Sequence, residues 1–268
     1  MDKILYTLLT VMALTSCAGS YNIQGSSNVA TLDGHKLYLK VLDEETVKNL
    51  DSCDVVHGQF AFSGSLDSTR MANLYMDQMS LLPVVLESGE IVIRLDNTQQ
   101  SIGGTPLNDK LYQFLKSYDQ LQNELAELVH KHDQAIMDGR DMEAVNRQLA
   151  TMDVQIGQRM DKLLTSFVTE NFDNVLGPGV FMMVTADYDM PVFTPWIEDI
   201  LSKATARFKN DAYVRQYIEA AQHNQEIMNG MADMQTVPVP PAAGTVSGSA
   251  APPPTPNELA RDSSSQRR

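Results

Sequence analysis

Cysteine is nearly missing from this chain: Cys17 and Cys53 are the two in 268 residues. That excludes a disulfide-knit scaffold and a four-cysteine zinc site. Basic charge is also short, with 20 Lys and Arg against 34 Asp and Glu, a net charge of −14 and a pI near 4.6. Phosphate backbones are gripped by clustered Lys and Arg, so nucleic acid is excluded as a partner. Long apolar runs are scarce, and a mean hydropathy of −0.22 excludes a polytopic membrane protein. The G-x-S-x-G, P-loop, dinucleotide-binding and H-E-x-x-H patterns are missing too. The chain is therefore read as a non-enzyme, with no catalytic, cofactor-binding or metal-ligating residue. What is present supports a folded body: 43% of residues are hydrophobic, and the length suits one large domain or two small ones.

The first stretch is an address. Lys3 precedes an apolar run over residues 4–14, too short for the ~30 Å hydrocarbon core but suited to the apolar region of a secretory signal peptide. It ends in Leu14-Thr15-Ser16-Cys17, which resembles a bacterial lipobox. Residues 1–16 are thus expected to be removed and Cys17 to be lipidated, and more than one acyl chain gives stable anchoring. Ala18, Gly19 and Ser20 follow, with no Asp after the cysteine, so the expected location is the outer membrane, facing the periplasm. Asp2 and Lys3 cancel, and residues 236–268 carry +1, which leaves −15 on the body between. Such a body repels anionic lipid, so the membrane contact is the lipid itself.

Periodicity divides the remainder. Residues 17–104 read as a β domain: Leu37, Leu39 and Val41 alternate with Lys36, Tyr38 and Lys40; Phe60 and Phe62 share a face; Ile91, Ile93 and Leu95 repeat the pattern. Asp33-Gly34, His57-Gly58 and Ser88-Gly89 mark turns. Short strands at this spacing predict an antiparallel β-sandwich or barrel. Residues 105–235 read as helical. Thr105 is the expected N-cap with Pro106 at the first helical position, and Leu111, Phe114, Tyr118, Leu121, Leu125 and Leu128 follow at 3-4 spacing. Asp138-Gly139-Arg140 breaks that run. Met142, Val145, Leu149, Met152, Ile156, Leu163 and Phe167 begin a second, so the pair predicts a long antiparallel, coiled-coil-like hairpin. Further helices are expected to open at Thr194-Pro195 and Asp211. Residues 236–268, rich in proline, are expected to be a disordered tail. The fold class is α+β.

The β region then resembles a known family. Phe60-Ala61-Phe62-Ser63-Gly64 is followed by Leu86-Glu87-Ser88-Gly89-Glu90-Ile91-Val92-Ile93 and by Gly103-Gly104-Thr105-Pro106-Leu107-Asn108-Asp109. That order resembles the domain of unknown function 4369. The resemblance implies a β domain at the N-terminus of lipid-anchored or secreted thiol-disulfide oxidoreductases of Bacteroidota, followed by helices and a thioredoxin-like domain. This chain has no Cys-x-x-Cys pair and has a proline-rich segment where that domain would begin. The family's redox chemistry therefore transfers to no residue here.

Other side chains that could carry chemistry stand apart from one another in the sequence. Cys53 sits between Asp51, Ser52 and Asp54, near an expected strand start, and neighbouring acids make a thiol less reactive. His130 and His132 are two apart on a helix and point away from one another; His35, His57 and His223 are isolated. Asp51, Asp54 and Asp67 lack any spacing that would bring two together for acid/base work. Met71, Met76, Met79, Met182, Met183 and Met190 read as core filling rather than an adaptable groove, and Met142, Met152 and Met160 as seam residues. The expectation is a non-catalytic, lipid-anchored envelope protein that contacts another protein and is thioredoxin-associated by kinship. The alternatives are a thiol-disulfide protein or accessory subunit acting through Cys53, and a small-ligand-binding envelope lipoprotein.

Overall fold

A computed structural model describes residues 19–43, 46–97, 99–186 and 188–230. The expected signal peptide at residues 1–16, Cys17 and the expected tail at 236–268 lie outside the described residues.

Eight strands come first: β1 (Gly19–Ser27), β2 (Lys36–Asp43), β3 (Thr46–Asp54), β4 (Gln59–Leu66), β5 (Arg70–Met76), β6 (Met79–Leu86), β7 (Gly89–Leu95) and β8 (Gln100–Gly103). They form two four-stranded sheets, β4-β1-β7-β8 and β3-β2-β5-β6. Alternation decides what lies between them. Ile23, Phe60, Phe62, Ile91, Ile93 and Ile102 from one sheet meet Leu37, Leu39, Leu74, Leu82 and Val84 from the other in a single core. The predicted turns are where positive φ is needed: Gly34 at 79°, Gly58 at 68° with His57 at 51°, and Gly89 at 132°.

One detail departs from an all-antiparallel sandwich. β1 and β7 run parallel, with Ile23 opposite Ile91 and Gly25 opposite Ile93. β7 reaches β1 by crossing over from the other sheet, so no hairpin dictates its direction.

β6 shows why its sequence does not alternate. Leu82, Val84 and Leu86 face the sandwich core, whereas Val85 joins a second core under the helices. Both faces are covered, so the strand reads Leu-Leu-Pro-Val-Val-Leu. Pro83 is tolerated because β6 is the last strand of its sheet.

The helices are α1 (Pro106–Met137), α2 (Met142–Glu170), α3 (Leu176–Thr185), α4 (Pro195–Lys203), α5 (Ala206–Lys209) and α6 (Ala212–Met228). The first two form the expected hairpin. Gly139 turns the chain at φ 64°, and Asp141, which the apolar spacing did not single out, caps α2 by accepting from the Glu143 and Ala144 N–H groups. At the base, Leu111, Phe114, Leu164, Phe167 and Val168 enter the second core with Leu42, Met71 and Val85 of the sheet. The Phe114 and Phe167 rings lie 4.4 Å apart between centroids, tying the two arms together where they meet the sheet. In the same core Phe181 of α3 meets Trp196, Phe208, Tyr213 and Tyr217 from α4, α5 and α6. Asp211 caps α6 through the Tyr213 and Val214 N–H groups, as its place in the sequence predicts.

Candidate interaction surface

The hairpin is aimed by a polar joint. α1 begins against the free side of β6, where fully buried Asn108 lies beside Val85. The Val85 N–H donates to Asn108 Oδ1 at 2.8 Å, and Asn108 Nδ2 donates to the Val85 carbonyl at 2.7 Å and to Thr105 Oγ1 at 2.8 Å. The side-chain amide therefore serves Val85 as a neighbouring strand would. Thr105 occupies the expected N-cap position, but its hydroxyl makes no cap hydrogen bond to the helix backbone. Glu87 supplies that acceptor instead: its Oε1 receives the Leu107 N–H at 2.8 Å and the Asn108 N–H at 3.2 Å. Asp109 Oδ1 turns back to the Gly104 N–H at 3.0 Å. Gly104 has φ 93°, and a Cβ there would lie 2.5 Å from the Glu90 carbonyl, so the second glycine of the pair is a steric requirement.

Beyond this joint, α1 and α2 have one another and little else. Their outer core is thin: Leu121, Leu128 and Ile156, flanked by Leu125, Leu149, Met152, Met160 and Leu163. Glu124 and Arg159 pair across the two helices, and the hydrogen bond from Arg159 holds the Glu124 carboxyl below its ordinary pKa. A two-helix seam leaves its flanks in water. Val129 is 62% exposed, Ile136 55% and Met137 81%, and Val154 of α2 is exposed as well. Val129 and Ile136 are seven residues apart, hence on one stripe. An open recess of about 270 Å³ lies near the turn, lined by Lys131, Gln134, Arg140, Val145, Gln148, Leu149 and Met152. Apolar side chains beside a thin seam are what a partner helix can cover.

The cysteine, histidines, aspartates and methionines that the sequence offers do not converge on one site. Cys53 lies near the end of β3 rather than near a strand start, because the chain continues as strand through it. It is half-buried against the sandwich core. Burial pushes its thiol above the ordinary range, Asp51 and Asp54 add to that, and the Ala61 N–H and Lys36 oppose it. Asp54 pairs with Lys36 at 3.1 Å, Asp51 accepts from the Ser52 N–H at 2.7 Å, and Asp67 sits in the turn between β4 and β5. His130 is exposed, and His132 Nδ1 lies 3.5 Å from Asp133. Met71, Met182 and Met183 pack in the second core, Met76 against the first, and Met152 and Met160 on the hairpin seam, whereas Met79 and Met190 are exposed.

The sequence alone does not mark the roles of Asn108 and Glu87. An Asn in a first turn and a Glu before Ser-Gly look like ordinary polar residues at an element's end. One signal was available: Asn108 falls three before Leu111, on the face that Leu111, Phe114 and Tyr118 mark as buried.

Comparison of the chain with curated proteins and with solved structures finds no match in either. The sheets and the first turn of α1 together, residues 21–111, match the family model described as Domain of unknown function (DUF4369), so the chain carries a DUF4369 domain there.

Proposed function

We propose that this protein is a non-catalytic interaction module, held by lipid on Cys17 at the periplasmic face of the outer membrane, whose helical hairpin binds a protein of the envelope. The observation that carries the reading is the stripe of Val129 and Ile136, with Met137 beside it, exposed along a hairpin whose base is locked to the sheet through Asn108. Burying such side chains is worth roughly 1.5–3 kcal/mol each. A rigid joint means little of that is spent on ordering the hairpin when a partner binds. The Leu14-Thr15-Ser16-Cys17 segment supports the anchor, and the body's charge of −15 leaves lipid rather than electrostatics to hold it at a membrane.

The test compares wild type with Val129→Glu/Ile136→Glu in co-purification from solubilised envelopes. Both proteins are first checked for the same helix content and thermal midpoint. A specific protein retained by wild type and lost by the variant supports the reading. Equal retention, or none, contradicts it. Mass spectrometry of the purified protein's first residue tests the anchor separately.

A further inference from the structure

β1 fixes one end of the molecule by its place in the sheet. Pairing begins at its first residue, Gly19, which faces Leu66 of β4, and Tyr21 faces Gly89 of β7. β1 is therefore held on both sides, with Tyr21 and Ile23 buried in the sandwich core. Ala18 is the single residue between Gly19 and Cys17. Two peptide units reach at most about 7 Å, so an acyl chain on Cys17 lies at this end of the sandwich. A long flexible linker would uncouple the body from its anchor; one residue does not.

The direction of α1 follows from the same register. The turns at residues 67–69 and 87–88 share the anchored end, because β4 stops beside Gly19 and β7 starts beside Tyr21. Ser27, facing Leu95, and the turn at residues 96–99 mark the opposite end. α1 starts at the anchored end, where Thr105 lies against Gly89 and Glu87 receives the Leu107 and Asn108 N–H groups. Two turns later the Tyr112 hydroxyl accepts from Gln99 Nε2 at 2.7 Å. Gln99 belongs to the opposite end, about 20 Å from Gly89 along β7. α1 can reach it only by running with β1, away from the residue that carries the lipid. From Tyr112 to Met137 the helix then continues for about 37 Å.

We propose, on the reading of Cys17 as acylated and of the hairpin stripe as a binding face, that the hairpin stands away from the bilayer and that Ile136 meets its partner roughly 50–60 Å from the lipid. Val129 lies about 10 Å closer. The headgroup layer is only ~5–8 Å deep. The partner surface is therefore an extramembrane protein domain, not the membrane-embedded part of a neighbour. The body's negative charge opposes the alternative pose, in which the molecule lies flat on anionic lipid.

Energy transfer to the membrane surface measures the height. The acylated protein, carrying Cys53→Ser and one labelled cysteine from Ser68→Cys, Gln78→Cys or Met137→Cys, is added to phosphatidylethanolamine/phosphatidylglycerol vesicles that hold a headgroup-linked acceptor. All three positions are exposed. Ser68 is in the turn at the anchored end, Gln78 in the β5–β6 turn at the opposite end, and Met137 at the end of α1. Transfer is expected to fall in the order Ser68, Gln78, Met137, by about five-fold or more from first to last. Equal transfer from all three, or the reverse order, from protein that floats with the vesicles overturns the orientation and leaves the anchor standing. Protein that does not float, or whose first residue carries no acyl chain, overturns the anchor and the orientation with it.

Discussion

Asn108 is bonded to Val85 as one strand residue is bonded to another, through both the N–H and the C=O, although Asn108 belongs to a helix. Removing its amide strands two buried backbone groups at once. Asn108→Leu is expected to cost about 2–4 kcal/mol, because each unsatisfied buried group costs roughly 1–3 kcal/mol. Urea unfolding measures this. Hydrogen exchange adds a local readout: the Val85 amide should lose its protection while Ile91 and Ile93, in the other sheet, keep theirs.

Glu87 caps α1 from a different element. Glu87→Ala removes the acceptor for the Leu107 and Asn108 N–H groups and is expected to cost about 1 kcal/mol. The two losses should not add, since both changes release the same turn of α1 from β6. A double-mutant cycle of Asn108→Leu and Glu87→Ala, read by urea unfolding, checks the coupling.

Much of the architecture was legible because it follows from spacing. The period of two at Leu37, Leu39 and Val41, and the 3-4 run from Leu111 to Leu128, are written by a single buried face, and each becomes a strand or helix at that place. β6 was harder because two cores cover it and erase its alternation. The parallel pairing of β1 with β7 depends on which sheet each crossover reaches, and no local residue records that. The Asn108–Val85 pair joins residues 23 apart in sequence and is specified only when both elements are packed.

Three helical glycines should respond differently to alanine. Gly157 of α2 has open space around it, so Gly157→Ala is expected to stabilise by up to about 1 kcal/mol, the ordinary helix preference. At Gly179 of α3 a Cβ would come within 2.6 Å of Met71 Cγ, and a methionine can move, so a loss of about 1–2 kcal/mol is expected. At Gly177 the new atom meets the Asn171 backbone carbonyl, which cannot move as a side chain can, so this change should be the most costly of the three. Thermal unfolding of the three variants gives the order.

Cys53 makes a prediction for pH. Burial holds its thiol above the ordinary value of 9.0. The folded chain thus holds this proton more tightly than the unfolded chain does. The resulting stability is complete below the unfolded pKa and is lost as pH rises from there through the raised folded pKa. Cys53→Ser should therefore flatten the decline in stability that begins near the ordinary thiol value, about pH 8.5. Iodoacetamide should also modify Cys53 more slowly than a free thiol at pH 8, because less thiolate is present.

The exposed stripe of the hairpin, proposed above as a binding face, places a partner protein against Ile136. A photo-crosslinking residue placed at Ile136 in living cells, with Gln158 of α2 as an exposed control, reads it in place. A discrete crosslinked protein is expected from position 136 and none from position 158. No crosslink at 136, or the same product from both positions, would contradict it.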